Sequence, residues 1–134
     1  LAKLDSIGLK DESLFIDGVD HEWCWRAKQQ NQMVAIAEKV EMVHQLGDAR
    51  RKFAGVTYKV GSPVRLYYQF RNILILSRRG YVPWYWKARN LLCMPIRFFA
   101  NALLQTDRLQ RIKFMACGII DGLLKRDGSF SKHW

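Results

Sequence analysis

Phe15-Ile16-Asp17-Gly18-Val19-Asp20-His21-Glu22-Trp23-Cys24-Trp25-Arg26 is the stretch around which the rest of the chain arranges itself. An apolar pair runs into three acidic side chains, Asp17, Asp20 and Glu22, and a helix then begins with Trp23 and Arg26 one turn apart. Carboxylates at this spacing, where a strand passes into a helix, suit a general base or a metal ligand. The same acids would also complement the free N–H groups and the dipole of a helix N-terminus. On the cluster alone both readings stand.

Working outward, charge divides the chain. Its 134 residues carry a net charge of +10, yet residues 1–49 hold −4 and residues 50–134 hold +14. That basic part calls for an anionic partner: nucleic acid, a phosphorylated ligand or a membrane surface. The length suffices for one small domain with a core. Cys24, Cys93 and Cys117 are far apart and show no metal spacing, which suits reduced thiols in a cytosolic compartment. The chain opens Leu-Ala-Lys-Leu-Asp, without the charged and apolar regions of a targeting signal, and reads as a piece of a longer protein.

Periodicity organises the remainder. Leu1, Leu4 and Ile7 have helical spacing with Gly8 as a stop, and Leu14-Phe15-Ile16 reads as a short buried strand or extended segment. Asp20 is the expected N-cap of a helix to about Gln30, closed by Asn31 in the left-handed conformation. Residues 33–37 and 40–44 read as extended pieces, and 48–61 as a loop. Ser62 and Pro63 open a helix as N-cap and first residue, ending near Gly80. A second helix is expected from about Pro83 to Gln105, kinked at Pro95, and a last one after Asp107.

Several residues have a functional and a structural reading side by side. His44 is a structural histidine, or it meets a metal or phosphate beside the cationic loop. Arg50-Arg51-Lys52 is a solvated surface run or a clamp on a diphosphate. Arg71 falls away from the polar stripe Arg65, Gln69 and Asn72 and among apolar neighbours, so it is either a buried structural cation or a functional one. The helix at 83–105 has a polar stripe of Lys87, Asn90, Arg97, Asn101 and Gln105 on an otherwise apolar surface. It reads as a core helix, or as a membrane-interface helix with Trp84, Tyr85 and Trp86 at headgroup depth and Lys87, Arg89 and Arg97 facing anionic lipid.

Three blocks in order carry a resemblance: Phe15 to Ala27, Val43-His44-Gln45-Leu46-Gly47-Asp48, and Tyr67-Tyr68-Gln69-Phe70-Arg71-Asn72. Together they resemble the C-terminal half of bacterial family-2 glycosyltransferases, nearest to rhamnosyltransferases of O-antigen and capsular polysaccharide assembly. The resemblance implies an α/β fold of the GT-A, Rossmann-like type. Residues 1–61 would be the acceptor-side part of the catalytic domain, without its nucleotide-binding half, and 62–134 a basic region of amphipathic helices. The fragment itself would be mostly helical with a few short strands.

By the same resemblance Asp20 is the catalytic base of an inverting transfer, and Asp17, Glu22 and Trp23 face the acceptor. Arg50, Arg51 and Arg71 bind the donor diphosphate, and His44 sits at the metal. The implied cofactor is a divalent metal, Mg²⁺ or Mn²⁺, held mainly by the half not in this chain. The sequence has no Asp-x-Asp metal motif, and Asp17-Gly-Val-Asp20 has a different spacing. The implied partners are a dTDP-rhamnose-like nucleotide-sugar, a lipid-linked glycan acceptor and the inner face of the bacterial cytoplasmic membrane, touched peripherally. No nucleic acid is expected on this reading. The fragment alone is expected to be inactive. The alternative from composition is a non-catalytic basic helical module that binds nucleic acid or an anionic membrane surface.

Overall fold

A computed structural model describes residues 6–35, 49–53, 56–60 and 62–132. Four helices carry the architecture: α1, Val19–Gln29; α2, Pro63–Ser77; α3, Trp84–Leu104; and α4, Arg108–Leu123. Short 3₁₀ turns at Glu12–Leu14 and Phe130–Lys132 flank them. Strands β1, Ala49–Phe53, and β2, Val56–Val60, pair antiparallel, with Ala49 opposite Val60 and Phe53 opposite Val56.

Helix α2 is central. Ser62 and Pro63 start it as the sequence predicts, since the fixed φ of proline costs nothing at a first helical position. Its apolar residues then supply all three core clusters. Leu76 joins Leu14 and Val82, with Trp25 and Trp86 against them. Leu66 and Phe70 meet Met115 of α4, with Met94 and Phe98 of α3 alongside. Tyr67 and Tyr68 pack on Cys117, Phe114 and Phe130. Burying a side chain such as Phe70 contributes roughly 1.5–3 kcal/mol, so α2 is where most of the stabilisation gathers.

Helices α2 and α4 come unusually close because α4 presents Gly118 and Gly122 to its neighbour. A Cβ on Gly118 would collide with the Tyr67 carbonyl, and one on Gly122 would stand 3.0 Å from the Arg71 carbonyl oxygen. Hydrogen bonds fill the same seam. The Tyr67 hydroxyl donates to Asp121 Oδ2 at 2.8 Å, and Arg78 donates to the Gly122 carbonyl.

Five expectations change. Leu14-Phe15-Ile16 is no strand: a 3₁₀ turn ends at Leu14 and Phe15 has φ +62°. The carbonyls a ladder would have used are taken by side chains of α2, described below. The segment 48–61, expected as a loop, holds the β1–β2 hairpin. Of the extended pieces expected at 33–37 and 40–44, Met33 to Ala35 are irregular and the rest lies outside the described residues. Helix α1 begins at Val19 behind Gly18 in the left-handed region, so Asp20 lies in its first turn and is not its cap. Finally, the described residues are helical apart from one hairpin, so they do not display the parallel sheet of an α/β domain and the few short strands are not where they were expected. Asn31, by contrast, closes α1 with φ +56° as its residue type suggests.

Helix α3 keeps its expected span, with Pro95 inside, but its polar stripe points inward. Asn90 is 9% exposed, Arg97 donates to its Oδ1 at 3.2 Å, and Arg111 of α4 donates to Asn101 Oδ1 at 3.3 Å. Lys87 donates to the Arg79 carbonyl at 2.7 Å. Lys87 and Arg97 therefore serve the helix packing and do not face outward as a lipid-facing row would require.

Candidate functional site

The acidic stretch is held in place by α2. Between the 3₁₀ turn and α1 the backbone turns sharply, with φ +62° at Phe15, +61° at Asp17 and +86° at Gly18. Two non-glycine residues in the left-handed region in so short a span require outside support. Asn72 provides it: its Nδ2 donates to the carbonyls of Leu14, Ile16 and Asp17 at 2.9, 2.6 and 2.8 Å. Arg71 completes the anchor. Its Nη2 donates to Ser13 and Leu14, its Nη1 to Gly128, and its Nε to Asn72 Oδ1. The rings of Tyr67 and Tyr68 stand 5.3 and 5.1 Å from its guanidinium carbon.

Within this frame the three acids take different positions. Asp17 pairs with Arg65 of α2, at 3.1 and 3.2 Å. Glu22 is 1% exposed and fully engaged: Arg26 donates to it at 3.0 and 3.1 Å and Tyr81 at 2.5 Å, and Arg79 forms an ion pair with it at 3.2 Å. Burial and the hydrogen bond to Glu22 push the Tyr81 phenol up. Arg79 also binds Asp11: burial pushes that carboxyl up, but the hydrogen bonds from Ser13 and Arg79 outweigh it and leave the carboxyl below its ordinary range. Asp20 alone is largely open, its side chain 79% exposed, with Lys10 Nζ 2.6 Å from Oδ1. An exposed ion pair of this kind is weak, so Lys10 can swing aside at little cost. Asp20 thus presents an exposed carboxylate in the first turn of α1, at the positive end of its dipole.

Beside it lies a cavity of about 130 Å³ bounded by Asp17, His21, Gln69, Asn90 and Arg97, with Trp86 as an aromatic wall. Amides, a carboxylate, a guanidinium and an indole around a small hollow are suited to hydroxyl-rich ligands. Asp20 is not among its lining residues. Reading along the sequence did not assemble this group, because Gln69 and Asn90 sit in stripes that look solvated until α2 and α3 are packed against each other.

The remaining residues singled out from sequence fall in three places. Trp23 is half-buried and donates from Nε1 to the Gly8 carbonyl at 2.9 Å, which positions the segment before α1. Arg50 and Arg51 lie on β1, in register with Lys59 and Tyr58. His44 lies outside the described residues. Arg71 is fully buried with its donors turned to carbonyl oxygens, so it is the structural cation of the two readings and is withdrawn from the donor-binding set. Glu22, equally buried, is a keystone of the ion-pair network and is withdrawn from the acceptor surface. Among the described residues no group of three or more His, Cys, Asp or Glu could hold a metal ion. Asp17 and Glu22 are committed to arginines, so the acidic stretch is not a ready donor set for a divalent cation.

Comparison with known proteins places this geometry in context. The chain is similar to a protein named as a rhamnosyl transferase. It is 34% identical over 117 residues to the dTDP-rhamnosyl transferase RfbF of Shigella flexneri. The matched region is 87% of this chain and 40% of that protein, so the chain spans less than half of its relative's length. No family profile matches the chain, and no solved structure matches it.

Proposed function

We propose that the chain is the acceptor-side part of an inverting family-2 glycosyltransferase with a GT-A catalytic domain. It would move a sugar, rhamnose by kinship, from a dTDP-linked donor to a lipid-linked or polysaccharide acceptor of the O-antigen type. The work would be done at the inner face of the cytoplasmic membrane, with peripheral contact. The observation that carries this reading is the 34% identity to a dTDP-rhamnosyl transferase over most of the chain. The disposition of the acids supports it, since Asp20 is the one carboxylate of the opening stretch left open for chemistry.

In this mechanism Asp20 takes the proton of an acceptor hydroxyl as that oxygen attacks the anomeric carbon. The bond to the nucleotide diphosphate breaks on the opposite face, and the configuration inverts. Asp17 and Trp23 support the acceptor side, Asp17 through its place on the cavity wall. Arg50 and Arg51 on the hairpin bind the leaving diphosphate, where paired charge-assisted hydrogen bonds suit its oxygens. A divalent metal, Mg²⁺ or Mn²⁺, with His44 beside it, would draw its ligands from outside the described residues and would stabilise the diphosphate's charge.

The test is Asp20→Asn in the complete transferase that contains this chain. The variant is expected to lose on the order of 10²–10⁴-fold in kcat with donor affinity unchanged. Near-normal turnover would remove Asp20 from the role of base. The 134-residue chain alone is expected to turn over no nucleotide-sugar.

A further inference from the structure

Helix α3 carries apolar residues on two sides. Asn90, Arg97 and Asn101 face the protein together with Trp86, Met94 and Phe98, and a second set of apolar residues faces out. Tyr85, Leu92, Ile96, Phe99 and Leu103 follow one another at seven-, four-, three- and four-residue steps and so form one stripe. All are exposed, Leu92 to 75% and Ile96 to 69%, and Trp84 at the head of the helix to 78%. A contiguous apolar surface of this length on one helix marks an interaction site.

We propose that this outer face of α3 is a docking surface for an anionic lipid membrane, with α3 lying in the plane of the interface. Three observations favour lipid over a protein partner. The stripe offers no hydrogen-bonding group apart from the Tyr85 hydroxyl, whereas protein interfaces carry about one hydrogen bond per 100–200 Å². Its charge is complementary to anionic headgroups: no acidic residue occurs from Trp84 to Thr106, and exposed Arg89 stands on α3 and exposed Arg108 just beyond its end. A second copy docked on this face would set those cations against their own equivalents. Trp84 and Tyr85, side by side at one end, have the aromatic body and polar tip that settle at headgroup depth. Among the described residues no helix is long and apolar enough to cross a membrane, so contact through α3 lies along the surface.

This gives the peripheral contact of the proposed function a specific surface. The surface itself rests on the geometry of α3, and vesicle binding is measured without donor or acceptor, so the two readings fail separately. The complete transferase that contains this chain is sedimented with vesicles of phosphatidylcholine alone or with 30% phosphatidylglycerol added. Binding at least tenfold tighter to the anionic vesicles is expected, and weakening with salt. The triple variant Leu92→Ser, Ile96→Ser, Phe99→Ser should lose at least tenfold of that binding, with helix content by circular dichroism retained.

A second measurement does not depend on that variant folding. Brominated lipid should quench Trp84, and Trp84→Phe should remove most of the quenching, whereas Trp23→Phe should not. Absence of vesicle binding overturns the proposal. So does quenching untouched by Trp84→Phe, or a dimer in light scattering that the triple variant dissolves, which would assign the face to a second copy.

Discussion

Asn72 holds Asp17 by its backbone, Nδ2 to the carbonyl oxygen at 2.8 Å, across 55 residues of sequence. One amide nitrogen also serves Leu14 and Ile16, while its oxygen accepts from Arg71. The segment Tyr67 to Asn72 is thus the scaffold on which the acidic stretch is bent into place. Its burial has a physical explanation: Arg71 and Asn72 carry the carbonyls of Leu14, Ile16 and Asp17, the turn that leads into α1.

Asn72→Ala should cost about 2–4 kcal/mol in urea unfolding, because the Ile16 and Asp17 carbonyls lose the Asn72 donor and the Leu14 carbonyl is left to Arg71. Asn72→Asp should cost more than Ala, since it turns carboxylate oxygens toward those same carbonyls. If Asp proves milder than Ala, the assignment of the amide nitrogen to the loop is wrong.

Arg71→Lys is expected to destabilise by about 2–4 kcal/mol. An ammonium cannot reproduce a planar fork that reaches Ser13, Leu14 and Gly128 together, and it is strongly hydrated for so buried a site. The lower unfolding midpoint should appear without donor or acceptor present. A variant that keeps wild-type stability and loses only donor affinity would restore Arg71 to the phosphate site.

Gly118→Ala should destabilise by about 1–3 kcal/mol or more, because the added methyl meets the backbone of α2 at Tyr67, which cannot yield as a flexible side chain does. Gly80→Ala is the matched control: nothing lies within 4 Å of a Cβ built there, and it should be close to neutral. Equal effects at the two glycines would mean that the helices do not approach through Gly118.

What was legible in the sequence follows which interactions are local. Ser62-Pro63, Asn31 and the apolar period of α2 announce themselves because caps and periodicity are set within a few residues. The oddness of Arg71 was also visible, as a cation off its polar stripe. Its role was not, because its partners are carbonyls of Ser13, Leu14 and Gly128, more than fifty residues away. Backbone acceptors leave no signature in residue types. Leu14-Phe15-Ile16 read as a strand for the same reason: nothing in an apolar triplet shows that a side-chain amide replaces the ladder. The hairpin Ala49–Phe53 with Val56–Val60 was hidden by its Arg-Arg-Lys, which looks like a solvated run until it is paired. The inward turn of Asn90, Arg97 and Asn101 was equally hidden. Periodicity shows that a stripe exists and does not show which side of it faces the core.

Tyr67 sets the alkaline limit of stability at the α2–α4 seam. Burial first, and then its hydrogen bond to Asp121, push its phenol up to about 12 from 10.0. The folded value lies above the unfolded one, so the neutral phenol favours the folded state. Its contribution is complete below about pH 10 and is lost as the pH rises from there through about 12. By pH 11.5 the loss should approach about 2 kcal/mol. Tyr67→Phe removes the ionisable group, so the variant should be less stable than the wild type at pH 8, where Asp121 loses a donor, and should show a shallower decline between pH 9.5 and 11.5. Other tyrosines, Tyr81 among them, titrate in both proteins and cancel in the difference. Urea midpoints collected across that range decide the matter: parallel curves for the two proteins would mean that the Tyr67 hydroxyl is not buried against Asp121.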